Sequence, residues 1–204
     1  MSDEPTKATP PPEPPGRDLL AGRKVVITAA AGSGIGGSLA RRCMLEGATL
    51  TISDAHERRL GETADALEAE FGIRPATAVC NVTDEDSVQA LVTTALDSMG
   101  GYDTWFNNAG LGGNGLITEL EDDEWNRVLD VTLTGTFRCL RAALPHLYEK
   151  RSGAVVNNAS VLAWRAQDRQ AHYAAAKAGV MALTRTAAVE AAEHGVRVNA
   201  VSPS

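Results

Sequence analysis

From Lys24 the chain alternates between two kinds of pattern. Short apolar runs rich in β-branched residues are followed by longer stretches with the periodicity of a helix. Lys24-Val-Val-Ile-Thr-Ala29 is the first run and lacks polar alternation, as expected of a strand covered on both faces. A glycine-rich turn leads from it into a predicted helix over Ile35–Glu46, closed by Gly47. Strand patterns follow at 48–53, 75–80, 103–107, 154–158 and 196–201. Helical patterns occupy 57–70, 85–99, 122–150 and 171–194, with Thr83 or Asp84 as cap of the third helix and Pro145 near the end of the fourth. Six strands alternating with helices, without hairpin signals between them, predict right-handed crossovers. The fold class is α/β: a single Rossmann-type domain with a doubly wound parallel sheet in three layers. In such sheets the carboxyl ends of the strands are the place for a ligand.

Residues 1 to 17 break the pattern. Pro5, Pro10, Pro11, Pro12, Pro14 and Pro15 stand among charged residues, a composition that builds neither ladder nor helix, and a disordered tail is expected there. The organised domain is read as 18–204. Within the 204 residues, 44% are hydrophobic and 22% charged, the balance of a globular protein. The net charge of −7 is spread along the chain, which argues against nucleic acid or an anionic membrane as the main partner. No apolar run reaches the roughly 20 residues needed for a bilayer and no signal-peptide layout opens the chain, so a cytoplasmic protein is expected. Cys43, Cys80 and Cys139 are far apart and form no Cys-x-x-Cys pair, and the four histidines lack ligand spacing. The cysteines read as small buried hydrophobes, and no metal is expected.

Chemistry concentrates where the strands end. In Thr28-Ala-Ala-Ala-Gly32-Ser33-Gly34-Ile35-Gly36 the glycines allow close backbone approach, and the amides opening the next helix can hold a pyrophosphate. Asp54 ends the second strand about 20 residues later, where a carboxylate accepts ribose hydroxyls and repels a 2′-phosphate. NAD is therefore favoured over NADP, although Arg58 and Arg59 stand nearby. Tyr173 and Lys177 are four apart on a helix and share a face. A phenol ionising near pH 10 is a poor base at neutrality, and a neighbouring cation lowers that value. Ser160 follows the fifth strand, and Asn107-Asn108-Ala109-Gly110 closes the fourth at the same edge.

Over Leu20–Ser204 the chain resembles the short-chain dehydrogenase/reductase family, on the glycine turn, the acid after strand two, Asn-Asn-Ala-Gly, the serine and Tyr-x-x-x-Lys. The resemblance implies that Gly32, Ser33, Gly34, Ile35 and Gly36 cradle the cofactor phosphates and that Asp54 takes the adenosine ribose. It further implies that Asn81 and Val82 flank the adenine, that Asn108, Ala109 and Gly110 line the cofactor, that Ser160 and Tyr173 act on the substrate, and that Lys177, catalytic with them, also holds the nicotinamide ribose. Tyr173 and Lys177 are expected to touch the cofactor too. The sequence departs from the family pattern in four places. The glycine turn is one residue longer, so that Gly32 is expected to replace the first family glycine. Asn81 replaces an acid after strand three, and Thr132 replaces an asparagine that supports a relay water. The chain stops at Ser202-Pro203-Ser204 and looks truncated before the family's substrate-covering part.

Within the family, the likeness is to actinobacterial enzymes acting on a hydroxylated bicyclic acyl-CoA derived from steroid rings. It is carried by the glycine turn, Ser53-Asp54-Ala-His-Glu-Arg-Arg-Leu60, Asn157-Asn158-Ala159-Ser160-Val-Leu-Ala-Trp164-Arg165-Ala-Gln167 and His172-Tyr173-Ala-Ala-Ala-Lys177. The implied activity is NAD-dependent interconversion of a secondary alcohol and a ketone on a small molecule, a CoA thioester among the candidates. Alternatives are reduction of a 3-oxoacyl thioester, or a cofactor-binding or oligomer-forming module with little catalysis. A homo-oligomer paired through the helices at 122–150 and 171–194 is implied as well. Trp164 reads as packed and Arg165 as solvated, the alternative being that both face substrate.

Overall fold

The computed structural model describes residues 13–204. Six strands, β1 (Lys24–Ile27), β2 (Thr49–Asp54), β3 (Ala76–Val79), β4 (Thr104–Asn107), β5 (Gly153–Asn158) and β6 (Val196–Val201), form one sheet in the order β3-β2-β1-β4-β5-β6. Every pairing is parallel. The helices are α1 (Ile35–Leu45), α2 (Glu57–Phe71), α3 (Glu85–Met99), α4 (Asp122–Leu129), α5 (Gly135–Lys150) and α6 (Ala171–Ala192). This is the expected Rossmann-type three-layer domain. Chain order reverses between β1 and β4, which opens a crevice at their carboxyl ends.

The two covering layers follow from the pleat, since successive side chains of a strand point to opposite faces. Val25 and Ile27 of β1 join Leu50, Ile52 and the buried sides of α1 and α2. Val26 points the other way, into the core of Trp105, Val155 and the inner sides of α3, α5 and α6. Asp84 caps α3, its carboxylate accepting from the Asp86 amide at 3.2 Å, and Gly100 ends it in the left-handed conformation. All three cysteines are buried and unpaired. Burial pushes the Cys43 and Cys80 thiols up to about 11. No helix among the described residues is long and apolar enough to cross a membrane.

One sequence expectation needs correction. Glu13 to Arg17, assigned to the tail, lie against α1. Arg42 donates to the Pro14 carbonyl at 2.6 Å, and the amides of Arg17 and Leu19 donate to the Glu46 carboxylate at 2.9 and 3.1 Å. Side-chain donors and acceptors on α1 thus order a segment whose own composition carries no ladder. The rest of that tail lies outside the described residues. The helical stretch 122–150 is not uniform, because Asp130–Thr134 forms a π-turn between α4 and α5.

Candidate active site

The crevice is stitched by one hydroxyl. Thr28 Oγ1, buried at the end of β1, accepts from the amides of Asn108 and Ala109 at 2.9 and 3.1 Å, fixing the loop after β4 against β1. Asn108 Nδ2 donates to the Ala29 carbonyl at 2.9 Å, and Asn158 Nδ2 donates to Asn108 Oδ1 at 2.9 Å. Deeper in the sheet, Asn107 Nδ2 donates to Asn157 Oδ1 at 2.8 Å, and Asn157 Nδ2 donates to Thr184 Oγ1 on α6 at 2.8 Å. These amides, costly to bury singly, bond to one another and lock β1, β4, β5 and α6 into register, with Asn158 Oδ1 left buried without a partner.

Two adjoining clefts open along this edge and share Ala29 and Gly110 as a common wall. One, of about 420 Å³, is lined by Asp54, Asn81, Val82, Ala109 and Gly110 among others. Asp54 is nearly buried, with Oδ2 accepting from the Ala31 amide at 3.2 Å and Oδ1 from the His56 amide at 3.0 Å. Each oxygen therefore keeps acceptor capacity for a hydroxyl. Burial raises the carboxyl above its ordinary range, against the opposing pull of the Ala31 amide and Arg59. Asn81 closes a local turn through Oδ1, which accepts from the Thr83 amide and hydroxyl. Val82 packs under Gly135, where a Cβ would come within 2.6 Å of its side chain.

The other cleft, of about 380 Å³, is lined by Gly34, Ile35, Gly36, Asn108, Tyr173 and Lys177 among others. At its floor α1 begins without a side-chain cap, and the first amide to bond back is Ser38 N to Gly34 O at 3.0 Å. The preceding amides and the positive end of the helix dipole thus remain for an anion. Gly36 is required by space, since a Cβ there would stand 2.1 Å from the Ala29 carbonyl oxygen. Nothing lies within 4 Å of a Cβ placed on Gly34, so that edge of the turn is open. These features fit a dinucleotide: an acceptor carboxylate lines one cleft and unbonded helix-opening amides the other.

Gly32 and Ser33 do not join this cleft. They line a groove between α1 and α2, and the Gly32 amide donates to Thr63 Oγ1 on α2 at 2.9 Å. The extra residue in the turn is absorbed by looping Gly32 outward (φ 83°). Ala29, an L-residue, takes the left-handed conformation (φ 50°) at the sharp exit from β1.

Tyr173 and Lys177 share a face of α6 as their spacing predicts, with Lys177 Nζ 5.6 Å from the centre of the Tyr173 ring. Lys177 is almost fully buried and donates to the Asn158 carbonyl at 2.5 Å, and burial lowers its ammonium to about 8. Ser160 is buried past β5, and its Oγ accepts from the Leu162 amide at 3.1 Å, which leaves the hydroxyl proton free to donate. Thr132 is fully buried within the π-turn. Its hydroxyl accepts from the Leu111 amide at 2.9 Å and donates to the Leu111 carbonyl at 3.1 Å, so that it fastens the loop behind Gly110. Trp164, expected to be packed, is 66% exposed, standing just past the single 3₁₀ turn Val161–Ala163. Sequence reasoning missed Thr28, Ala29, Asn157 and Asn158 as site builders. A buried hydroxyl ending a strand and a second Asn-Asn pair ending another were the available signals.

Residues 24–204 match the family described as short chain dehydrogenase. A curated relative from Mycobacterium tuberculosis, named (5R,7aS)-5-hydroxy-7a-methyl-1-oxo-2,3,5,6,7,7a-hexahydro-1H-indene-carboxyl-CoA reductase, is 57% identical over 195 residues, covering 95% of this chain and 74% of that protein. A crystal structure of a short chain dehydrogenase from Mycobacterium smegmatis superposes with a TM-score of 0.91 at 56% identity, covering 95% of this chain and 81% of that one. Carveol dehydrogenase from Mycobacterium avium, solved in complex with NAD, superposes with a TM-score of 0.84 at 33% identity, covering 90% of this chain and 71% of that one.

Proposed function

The chain belongs to the short-chain dehydrogenase family, oxidoreductases that act on hydroxyl and ketone groups with a nicotinamide cofactor, and from that premise we propose that this one uses NAD on a hydroxylated, steroid-derived acyl-CoA. The observation that carries the chemistry is the convergence of Tyr173, Lys177 and the uncapped start of α1 on one cleft. The substrate class rests on the 57% identical relative and its printed name. The preference for NAD rests on Asp54, whose carboxylate would meet the ribose hydroxyls and repel a phosphate in their place.

A nicotinamide held there would accept the hydride from the substrate carbon in oxidation and return it in reduction. Tyr173 takes the hydroxyl proton during oxidation, or gives it during reduction, at its phenol oxygen. Lys177 stands 5.6 Å from the centre of that ring and is itself held in place by the Asn158 carbonyl. With its ammonium lowered to about 8, Lys177 is still predominantly charged at pH 7. Ser160 orients the substrate oxygen by donating its free proton, which leaves the Leu162 amide bond intact. Gly34, Ile35 and Gly36 hold the pyrophosphate, and Asn108, Ala109 and Gly110 form the cofactor's wall. Trp125, Phe137 and Val189 are exposed apolar positions on the helices at 122–150 and 171–192, and a second copy of the chain would cover them. Unpaired cysteines suit a reducing, cytoplasmic setting.

The test is oxidation of a bicyclic hydroxyacyl-CoA with NAD or NADP, beside simple secondary alcohols and reduction of a 3-oxoacyl thioester. NAD-dependent turnover of the bicyclic thioester is expected, lost in Tyr173→Phe while NAD still binds. Turnover that survives Tyr173→Phe would refute the assignment of the proton to this residue. Preference for the 3-oxoacyl thioester would refute the substrate class.

A further inference from the structure

The residue before Tyr173 is the one buried side chain at the site left without a use. His172 lies in the first turn of α6, is fully buried, and neither ring nitrogen has a hydrogen-bond partner. An imidazole carries at least one N–H, so this burial leaves a donor unsatisfied. Its Nε2 faces Glu124 Oε1 of α4 at 3.8 Å, about 1 Å beyond a hydrogen bond. The other carboxylate oxygen of Glu124 is held by Arg127, at 3.1 Å from Nε and 2.5 Å from Nη2, which aims Oε1 at the ring.

Gly113 covers this gap. A Cβ there would stand 2.2 Å from His172 Nε2 and 2.4 Å from Glu124 Oε1, so only a glycine leaves the two groups free to meet. Gly113 belongs to the loop whose Gly110 and Gly112 line the Tyr173 cleft. That loop is also tied to the chain just before α6, by Gln170 Nε2 to the Gly113 carbonyl at 2.6 Å and by the Gly115 amide to the Arg169 carbonyl at 3.1 Å. One cluster therefore joins three things: the start of α6, where Tyr173 stands; the loop along the cleft; and the start of α4.

We propose that Glu124 and His172 are positioning residues which close to a hydrogen bond beneath Gly113 when the cleft is filled, setting Tyr173 and the 110–115 loop in register for proton transfer. The proposal rests on the reading of Tyr173 as the proton-transferring residue. Glu124 and His172 touch neither substrate nor cofactor in this scheme. Their effect falls on kcat, because misplacement of a reacting group by about 1 Å can cost on the order of 100-fold in rate.

The experiment compares the full chain with Glu124→Ala, Glu124→Gln and Gly113→Ala. NAD affinity, thermal midpoint and steady-state kinetics are measured, together with NMR of imidazole N–H protons in histidine-labelled protein saturated with NAD. In the wild type, an exchange-protected imidazole proton is expected. It should persist in Glu124→Gln, which keeps an acceptor oxygen, and vanish in Glu124→Ala and Gly113→Ala. Glu124→Ala and Gly113→Ala should each lose about 100-fold in kcat with the KM for NAD nearly unchanged; the thermal midpoint should hold in Glu124→Ala and fall in Gly113→Ala, whose Cβ is crowded by His172 and Glu124, while Glu124→Gln stays within about 3-fold. The proposal is overturned if the wild type lacks the protected proton, if Glu124→Ala keeps its kcat, or if Glu124→Gln is as impaired as Glu124→Ala. A wild type that turns over no alcohol would instead strike at the role of Tyr173. The imidazole proton then decides the pair by itself, its presence supporting the bond and its absence overturning it.

Discussion

Replacing Lys177 by methionine separates the cost of the site from its use. The lysine ammonium is lowered by burial from 10.5 to about 8, and at 1.36 kcal/mol per pH unit the charged form costs the folded state about 3 kcal/mol. The sign follows from proton counts. Below pH 8 folded and unfolded chains both carry the proton, so the full cost is present; between about 8 and 10.5 the unfolded chain binds more protons, and stability rises with pH. Methionine removes this term and also the Nζ bond to the Asn158 carbonyl, worth about 1–3 kcal/mol. The two changes nearly offset at pH 7, so the slope is the informative quantity. From pH 7 to 9.5 the wild type should gain about 2 kcal/mol over Lys177→Met, or about 1 M in urea midpoint at constant protein concentration. Groups common to both proteins, such as the Cys43 and Cys80 thiols at about 11, cancel in the difference. A stability difference that stays flat across that range would refute the argument that Lys177 is held charged against its burial.

Three further outcomes follow from particular contacts. Asp54→Ala should weaken NAD about 10–100-fold, through loss of charge-assisted bonds to a ribose, and narrow the gap to NADP; titration of both cofactors reads this, and an unchanged NAD affinity would contradict the placement of Asp54. Ala29→Gly relieves a left-handed L-residue at φ 50°, and its thermal midpoint should rise by about 1–3 °C; a fall would mean that the Ala29 conformation is unstrained. Asn157→Leu leaves Asn107 Nδ2 without its acceptor while the Thr184 hydroxyl still donates to the Val180 carbonyl, and should cost about 1–3 kcal/mol in denaturant unfolding; a loss below about 0.5 kcal/mol would show that the buried amides are individually dispensable.

Much of this protein is legible from local pattern. The apolar run of β1 gave a strand to within a residue or two, because a strand buried on both faces has no polar side to display, while β6 was legible from its alternation. The pairing of Tyr173 with Lys177 was legible for the same kind of reason, since helical pitch alone puts i and i+4 on one face. Asp54 could be read from its distance along the chain, because a β-α-β unit has a characteristic length. Local pattern did not reach contacts between residues that only the sheet order brings together. Thr28 meets Asn108 and Ala109 across 80 and 81 positions, and Asn107 meets Asn157 across 50. It also could not foresee that one added residue in the glycine turn would send Gly32 to Thr63 and leave the left-handed conformation to Ala29. Nor could it bring Glu124 within 3.8 Å of His172. Periodicity and backbone preference thus set the elements and the strand-end position of the candidate site. The tertiary structure decided which donors meet which acceptors, how deeply Lys177 is buried and where the loop after β4 is fastened. Those depend on the β3-β2-β1-β4-β5-β6 order and on packing between distant elements, for which no local pattern carries a term.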